Sequence, residues 1–230
     1  MTTLLIATRN AHKVGEIRAV LGPEFRCLTL ADLPGAPVVV EDAQTFAGNA
    51  ARKAGELARW VSGPHLAGEF PLVDFVLADD SGLAVDALGG APGVHSARFA
   101  ALDSGLPGNS PDTANNEKLM RLLADVPLER RTARFHCAIA LTPVIRDHVE
   151  NASPVCYVDE FSLQTQIFEA CCEGRIQAVP TGGAGFGYDP LFVPDGFSLS
   201  FAELGEETKN RISHRARALG AVQVWLSART

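Results

Sequence analysis

Short apolar runs alternate with amphipathic stretches along the whole chain. The run Leu4–Ala7 is typical of a buried strand, and the stretch from Asn10 to Leu21 has apolar residues at helical spacing. Further strands are expected near residues 25–30, 38–40, 73–78, 131–141, 155–163 and 167–179. Further helices are expected to begin near Thr45, Pro111 and Thr208. This mixed order predicts one α/β domain over residues 1–230, with an elongated mixed sheet and no clean linker.

The composition is that of a globular, acidic protein. The 230 residues are 47% hydrophobic, and 20 Lys and Arg against 27 Asp and Glu leave a net charge of −7. This charge argues against sequence-independent binding to nucleic acid or to an anionic membrane, so any polyphosphate site needs local positive charge. No apolar run is long enough to span a bilayer, no signal peptide pattern is present, and the five cysteines show no CxxC spacing. We therefore expect a cytoplasmic protein with reduced thiols.

The turn between the first strand and the first helix is a candidate anion site. Asn10 is a natural N-cap, and Lys13 lies in the first turn, where a cation opposes the helix dipole. A lysine at this position is explained if an anion such as phosphate binds at the helix N-terminus. A capped helix with an ordinary surface lysine is an equally good interpretation of the local pattern.

Two adjacent carboxylates follow an apolar strand in the segment Asp79-Asp80-Ser81-Gly82. The carboxyl end of a buried strand is where α/β folds bind ligands, and adjacent strand residues point to opposite faces. We therefore expect the two aspartates to differ in role, one acting on Mg²⁺ or water and the other on backbone N–H groups. Glu41 follows the short run at 38–40 and offers a second oxygen ligand, which suits Mg²⁺ bound by few carboxylates plus phosphates. The alternative is an ordinary Asp-Ser-Gly turn.

A glycine-rich loop spans residues 182–190 and contains Phe186 and Asp189. Glycines on both sides of an aromatic ring allow close approach of a flat ligand, so Phe186 could stack on a base while Asp189 accepts from a ring N–H. The alternative is a tight loop whose aromatic side chains enter the core.

Basic residues provide two further candidates. Lys209, His214 and Arg215 cluster at the expected start of the last helix, with Lys209 near its entrance and the other two further in. Their alternative interpretation is a solvated basic face. Lys53 borders the apolar face of the helix that begins near Thr45, where it either reaches toward solvent or clamps a polyphosphate.

The order of these motifs along the chain is more specific than any one of them. The segments are ATRNAHK, TFAGNAARKA, LADDSGLAVDALGGAPGVHSARFA, ARFHCAIAL, GAGFGYDPLF and KNRISHRARAL. Together they resemble the family of Ham1-like inosine triphosphate pyrophosphatases, which act on noncanonical purine nucleoside triphosphates. The resemblance covers nearly the whole chain and departs from the family around residues 62–71 and 157–166, where no motif residue lies.

The resemblance implies Mg²⁺-dependent hydrolysis of ITP, dITP or XTP between the α and β phosphates, which yields the monophosphate and pyrophosphate. It also implies a fold of two α/β lobes around an elongated mixed sheet with a central cleft, and a homodimer.

The resemblance further implies roles for individual residues. Those implied to hold the triphosphate are Thr8, Arg9, Asn10, Ala11, His12, Lys13, Lys53 and Ser81. Asp80 is implied to be the catalytic base and a metal-associated carboxylate, with Glu41 as the second metal ligand. Those implied to bind the purine are Phe186, Gly187, Tyr188, Asp189, Lys209, His214 and Arg215.

Two other functions remain open. A Maf-like nucleotide pyrophosphatase shares the architecture but begins with a Ser-Pro-Arg-Arg type of turn, which Thr8-Arg9-Asn10 does not match. A purine nucleotide sensor without turnover would keep the phosphate and purine residues but has no need for Asp79, Asp80 and Glu41.

Overall fold

A computed structural model describes residues 1–63, 72–103, 105, 108–145 and 160–229. The strands are β1 (Thr3–Ile6), β2 (Arg26–Thr29), β3 (Phe75–Val85), β4 (Thr132–Pro143), β5 (Gln166–Ile176) and β6 (Phe192–Pro194). The helices are α1 (Ala11–Leu21), α2 (Phe46–Val61), α3 (Asp112–Leu122), α4 (Glu160–Gln164), α5 (Phe201–Ile212) and α6 (His214–Ser227). No helix in these ranges is long and apolar enough to cross a membrane.

The strands form one mixed sheet in the order β2-β1-β3-β4-β5-β6. β1 pairs in parallel with β2 and with β3, whereas β5 and β6 are antiparallel. Parallel neighbours need a crossover, and α1 supplies it between β1 and β2. The predicted α/β fold with a mixed sheet and flanking helices is confirmed.

The chain folds into two compact units. The first comprises Met1–Asp80, Ala138–Glu169 and Ala218–Thr230, and the second comprises Ser81–Cys137 and Ala170–Arg217. The core of the first unit packs α2 through Ala50, Ala54 and Leu57 against residues that include Val76 and Phe161. These α2 residues recur every three or four positions, so they form one buried stripe, and small alanines permit close packing. Thr45 begins this helix, since its hydroxyl accepts the Gly48 N–H at 3.0 Å.

The core of the second unit is rich in aromatic rings. Phe135 meets Phe192 edge to face at 4.8 Å between ring centroids, and Phe201 lies 5.3 Å from Phe192. Leu83 and Leu191 belong to the same cluster and are fully buried. Such ring pairs add about 1 kcal/mol each to the burial of their apolar area, so they give this unit a rigid interior.

Three strand predictions require correction. Residues 38–40 form no strand, and Val38 and Val40 are 79% and 66% exposed. Their β-branched side chains favour extended backbone, but no neighbouring strand pairs with them in the described structure. β3 continues through residues 79–82 to Val85 instead of ending in a turn; β1 pairs with it only as far as Leu77, and β4 is its other neighbour in the sheet. The strand expected at 155–163 is wrong for Glu160–Leu163, which are helical, and its remainder lies outside the described residues.

The predicted last helix is two helices. α5 begins with a capping box in which Ser200 and Glu203 satisfy each other's backbone N–H groups. It ends at Ser213, whose extended backbone (φ −67°, ψ 162°) separates it from α6. Lys209 therefore lies in the last turn of α5, and His214 is the first residue of α6, which reverses the predicted placement.

Candidate functional site

The turn that joins β1 to α1 is closed by Asn10. Its Oδ1 accepts the N–H groups of His12 at 2.9 Å and Lys13 at 3.2 Å, while its own N–H donates to Thr8 Oγ1 at 3.1 Å. Arg9 donates to the Ala36 carbonyl at 3.0 Å. The predicted N-cap is confirmed, and the hydrogen bonds order the backbone of the whole turn. Arg9, Asn10, Ala11 and His12 are exposed, so this surface is accessible to a ligand.

Lys13 reaches from this turn to β3, where it forms an ion pair with Asp79. The Asp79 side chain is 0% exposed and that of Lys13 is 17% exposed. The carboxylate explains how a cation is tolerated in the first turn of a helix, because it balances the charge that the helix dipole opposes. The two adjacent aspartates also separate as expected, with Asp79 buried and Asp80 half-buried.

Asp80 lies among charged groups of the first unit. Its Oδ2 accepts the side-chain amide of Asn49 at 2.9 Å. Burial raises the pKa of the Asp80 carboxyl above its usual value, an effect that Lys13, the Asn49 hydrogen bond and Lys53 oppose and that Glu41 reinforces. A partly desolvated carboxylate beside two lysines is suited to act as a base toward water.

Helix α2 delivers two of these neighbours from positions one turn apart. Lys53 is buried and pairs with Glu41 at 2.8 Å, so it does not reach toward solvent. Asn49 is buried and also accepts the Ala43 N–H through Oδ1 at 2.9 Å, which fixes its amide toward Asp80. Asn49 is absent from the sequence-based site. Its position four residues before Lys53 on one helix face was the available signal.

The carboxylates of this cluster fit a magnesium ion. Glu41 and Asp80 are close enough for Glu41 to raise the pKa of Asp80. No group of three or more His, Cys, Asp or Glu side chains in the described ranges forms a complete metal site. Two neighbouring carboxylates would suit Mg²⁺, which takes its remaining ligands from phosphates and water.

The second unit brings the glycine-rich loop and a basic residue together. Asp189 Oδ2 accepts from Lys209 Nζ at 2.5 Å and from the Phe186 N–H at 2.9 Å. Lys209 Nζ also lies 4.6 Å from the centroid of the Phe186 ring, a cation–π contact. Lys209 and Asp189 are almost fully buried, whereas Phe186 is half-buried. The loop therefore presents one aromatic ring supported by a buried ion pair.

Arg215 completes this cluster. Its guanidinium donates to Ser81 Oγ at 2.8 Å and lies 5.9 Å from the Phe186 ring centroid. His214 is buried and stacks on Phe135 with 4.8 Å between ring centroids. The interpretation of residues 209–215 as a solvated basic face is wrong, because Lys209, His214 and Arg215 are all buried.

Tyr188 belongs to the core of the second unit. Its hydroxyl donates to the Ser96 carbonyl at 2.9 Å, and burial raises the pKa of its phenol. The alternative interpretation, in which the aromatic side chains of this loop enter the core, is therefore correct for Tyr188. Phe186 is only half-buried.

The fold and these two clusters define an α/β protein whose charged residues suit phosphate and whose aromatic loop suits a planar base. The chain matches the Ham1 family over residues 4–225 and belongs to that family. It is 42% identical to the dITP/XTP pyrophosphatase of Opitutus terrae, with 96% of this chain and 97% of the relative covered. The dITP/XTP pyrophosphatase of Geobacillus kaustophilus is 44% identical, with 95% and 91% covered.

Solved structures show the same relationship. The Ham1 protein of Staphylococcus aureus is 30% identical with a TM-score of 0.75 and complete coverage of both chains. A nucleoside-triphosphatase, dITP/XTP pyrophosphatase, from Mycobacterium abscessus is 36% identical with a TM-score of 0.66, covering 96% of this chain and 98% of that one.

Proposed function

We propose that this protein hydrolyses noncanonical purine nucleoside triphosphates, dITP, XTP and ITP, to the monophosphate and pyrophosphate. Relatives that carry the name dITP/XTP pyrophosphatase match it over nearly the full length of both chains. The observation that carries the proposal is the placement of Asp80 beside Asn49, Lys13 and Lys53. A half-buried carboxylate beside two lysines is suited to act as a base toward a water molecule that attacks phosphorus.

In the first unit, the proposed roles concern the phosphates. Lys13 and Lys53 neutralise the charge of the triphosphate and of the leaving pyrophosphate, and the turn at residues 8–13 supplies polar groups to it. Asp80 accepts a proton from the attacking water, a task that its raised pKa favours because it strengthens the base. Asp80 and Glu41 would hold Mg²⁺, which would neutralise charge that develops on the phosphate oxygens.

In the second unit, the proposed roles concern the base. Phe186 stacks on the purine, and Lys209, His214 and Arg215 carry the donors that a 6-oxo group requires. A site with buried donors rejects a 6-amino group because those donors then lose their partners, so adenine nucleotides are poor substrates. Asp189 orients Lys209 through a buried ion pair. Ser81 orients Arg215 by accepting a hydrogen bond from its guanidinium group.

Pyrophosphate release from ITP, XTP, dITP, ATP, GTP and dTTP, measured in parallel with Mg²⁺ and with excess chelator, tests this function. Strong release from ITP, XTP and dITP with little release from ATP, abolished by chelator, is the expected result. Release from dTTP would instead indicate a Maf-like activity. Binding of ITP without release from any substrate would indicate a sensor.

The family resemblance also supports a homodimer located in the cytoplasm, and we propose both. Analytical ultracentrifugation of the purified protein over a range of concentrations tests the dimer. A sedimentation coefficient that stays at the monomer value would contradict it.

A further inference from the structure

Helix α3 holds the glycine-rich loop through the two backbone groups of a single residue. Asp112 Oδ2 accepts the Gly187 N–H at 2.7 Å, and Asn116 Nδ2 donates to the Gly187 carbonyl at 3.0 Å. Asp112 and Asn116 are four residues apart on a helix, so their side chains lie on the same face. Both ends of the Gly187 residue are therefore gripped by one helical turn that lies about seventy positions earlier in the chain.

The neighbouring Phe186 is fixed just as completely. Its N–H donates to Asp189 Oδ2 at 2.9 Å, and its carbonyl accepts the Asp189 N–H at 3.3 Å. All four backbone polar groups of the dipeptide Phe186–Gly187 thus have a partner. Gly187 also adopts a left-handed backbone with φ of 62°, which favours glycine at this position. Fixed backbone on both sides consequently sets the direction of the Phe186 Cα–Cβ bond, and the ammonium group of Lys209 lies over its ring.

The rest of α3 is anchored independently of this grip. Asn115 accepts the Ala100 N–H at 2.8 Å, and Lys118 donates to the Phe99 carbonyl at 2.7 Å. Asn115, Lys118 and Leu119 are buried, whereas Asp112 is exposed. The helix is therefore a rigid support whose packing does not depend on Asp112 or Asn116.

Asn116 has a feature that stability alone does not explain. Its Oδ1 is buried and makes no hydrogen bond within the described residues. A buried acceptor without a partner destabilises a fold, so an apolar residue at position 116 would suit the packing better. Within the part of the chain that the structure describes, the polar contact that accounts for an asparagine here is the bond from Nδ2 to the Gly187 carbonyl.

We propose that Asp112 and Asn116 are positioning residues for purine recognition. By holding Gly187 they fix the Phe186 ring in the orientation that receives the base, and they thereby contribute to the preference for 6-oxopurines. This inference rests on the proposed function and adds two residues to it. Neither residue contacts the reacting phosphates in this scheme, so both act on substrate binding and not on the chemical step.

The test compares four variants with the wild type: Asn116→Leu, Asp112→Ala, Asp112→Asn and the control Glu117→Gln. Glu117 is an exposed residue of the same helix. For each protein we would measure kcat and KM for ITP and ATP, ITP affinity by calorimetry, and amide hydrogen exchange in residues 182–190.

Asn116→Leu and Asp112→Ala should each raise KM for ITP about fivefold, as expected for one lost hydrogen bond, with kcat within about twofold. The ITP to ATP ratio of kcat/KM should fall, and exchange in residues 182–190 should quicken. Asp112→Asn keeps an acceptor and should restore near wild-type KM. Glu117→Gln should change nothing.

Two results would overturn the proposal. Unchanged exchange in residues 182–190 would show that α3 does not hold the loop. Faster exchange with unchanged KM, ITP affinity and ITP to ATP ratio would show that the loop is held without consequence for the purine. A wild-type protein that releases no pyrophosphate would contradict the proposed function instead, and the calorimetric affinities would then decide the positioning role.

Discussion

Lys13, in the first turn of α1, forms an ion pair with Asp79, a fully buried residue in the middle of β3. The pair links helix α1 to strand β3, and Asp79 is followed in the chain by the half-buried Asp80. A cation at a helix N-terminus is unfavourable by itself, and the Asp79 carboxylate offsets that cost for Lys13. In the proposed function the same ammonium group also faces the triphosphate.

We predict that Lys13→Met destabilises the protein by about 2 kcal/mol, because it leaves the buried charge of Asp79 without this cation. The double variant Lys13→Met, Asp79→Asn should recover most of that loss, since no buried charge remains. Both variants should bind ITP weakly if Lys13 contacts phosphate. Urea unfolding and calorimetric titration check the two effects separately. A single variant as stable as the wild type would show that the pair contributes nothing.

Asp80→Asn should lower kcat for ITP about 10³-fold, because the base toward water is lost. ITP binding should remain largely intact, since the amide keeps the shape of the carboxylate. Thermal stability should not fall, because burial disfavours the charged form of Asp80, as its raised pKa shows, and the uncharged amide avoids that cost.

The matched control for this change is Asp125→Asn, at an exposed aspartate of the second unit. It should leave both kcat and stability unchanged. Normal turnover by Asp80→Asn would remove Asp80 from the mechanism.

Gly185 and Gly183 offer a matched pair within the glycine-rich loop. Gly185 has φ of 79°, and a β-carbon there would collide with the Asp189 carboxylate. Gly183 has open space around a β-carbon and no positive φ. We therefore predict that Gly185→Ala lowers stability by about 1–3 kcal/mol and raises KM for ITP, while Gly183→Ala changes neither. Equal behaviour of the two variants in unfolding and kinetic assays would contradict the geometry.

Glu203 gives a prediction about pH. Hydrogen bonds from Thr181 Oγ1 and the Ser200 N–H lower the pKa of its carboxyl below the ordinary value of 4.5. A lowered folded-state pKa adds stability that is present above the ordinary value and is lost as pH falls through the folded value. Glu203→Gln should therefore lower Tm at pH 7, and the difference from the wild type should shrink below pH 4.5.

Thermal unfolding between pH 3 and pH 7 measures this trend, with about 0.5 pH steps across the carboxyl range. The control is Glu206→Gln, at an exposed residue of the same helix. Its Tm difference from the wild type should not depend on pH. A Tm difference for Glu203→Gln that is constant with pH would mean that the charge of Glu203 is not what stabilises the capping box.

Local features of the chain could be predicted because their causes are local. Asn10 and Thr45 were identified as N-caps, and the apolar stripe on α2 was identified from its spacing. A cap or a periodic stripe depends on residues within one or two helical turns, which are adjacent in the sequence. The order of the motifs also identified the family, because that order does not depend on the folded geometry.

The boundaries of β3 and the exposure of residues 38–40 were decided by strand pairing. A Ser-Gly segment is typical of a turn, but β3 continues through it to Val85, beside its neighbour β4 in the sheet. Valines favour a strand, but Val38 and Val40 have no strand beside them in the described structure and stay exposed. Which strand finds a partner depends on segments far away in the chain, so local propensity does not determine it.

The sequence by itself determined α1, α2 and α3, most of the strands and the types of residue that could act on a nucleotide. Only the tertiary structure decided which of them meet: Lys13 with Asp79, Asn49 with Asp80, Lys209 with Asp189, and α3 with Gly187. It also showed that Lys209 and Arg215 are buried and not solvated. These contacts join residues 20 to 75 positions apart in the chain, so they exist only after the chain has folded and no local pattern determines them.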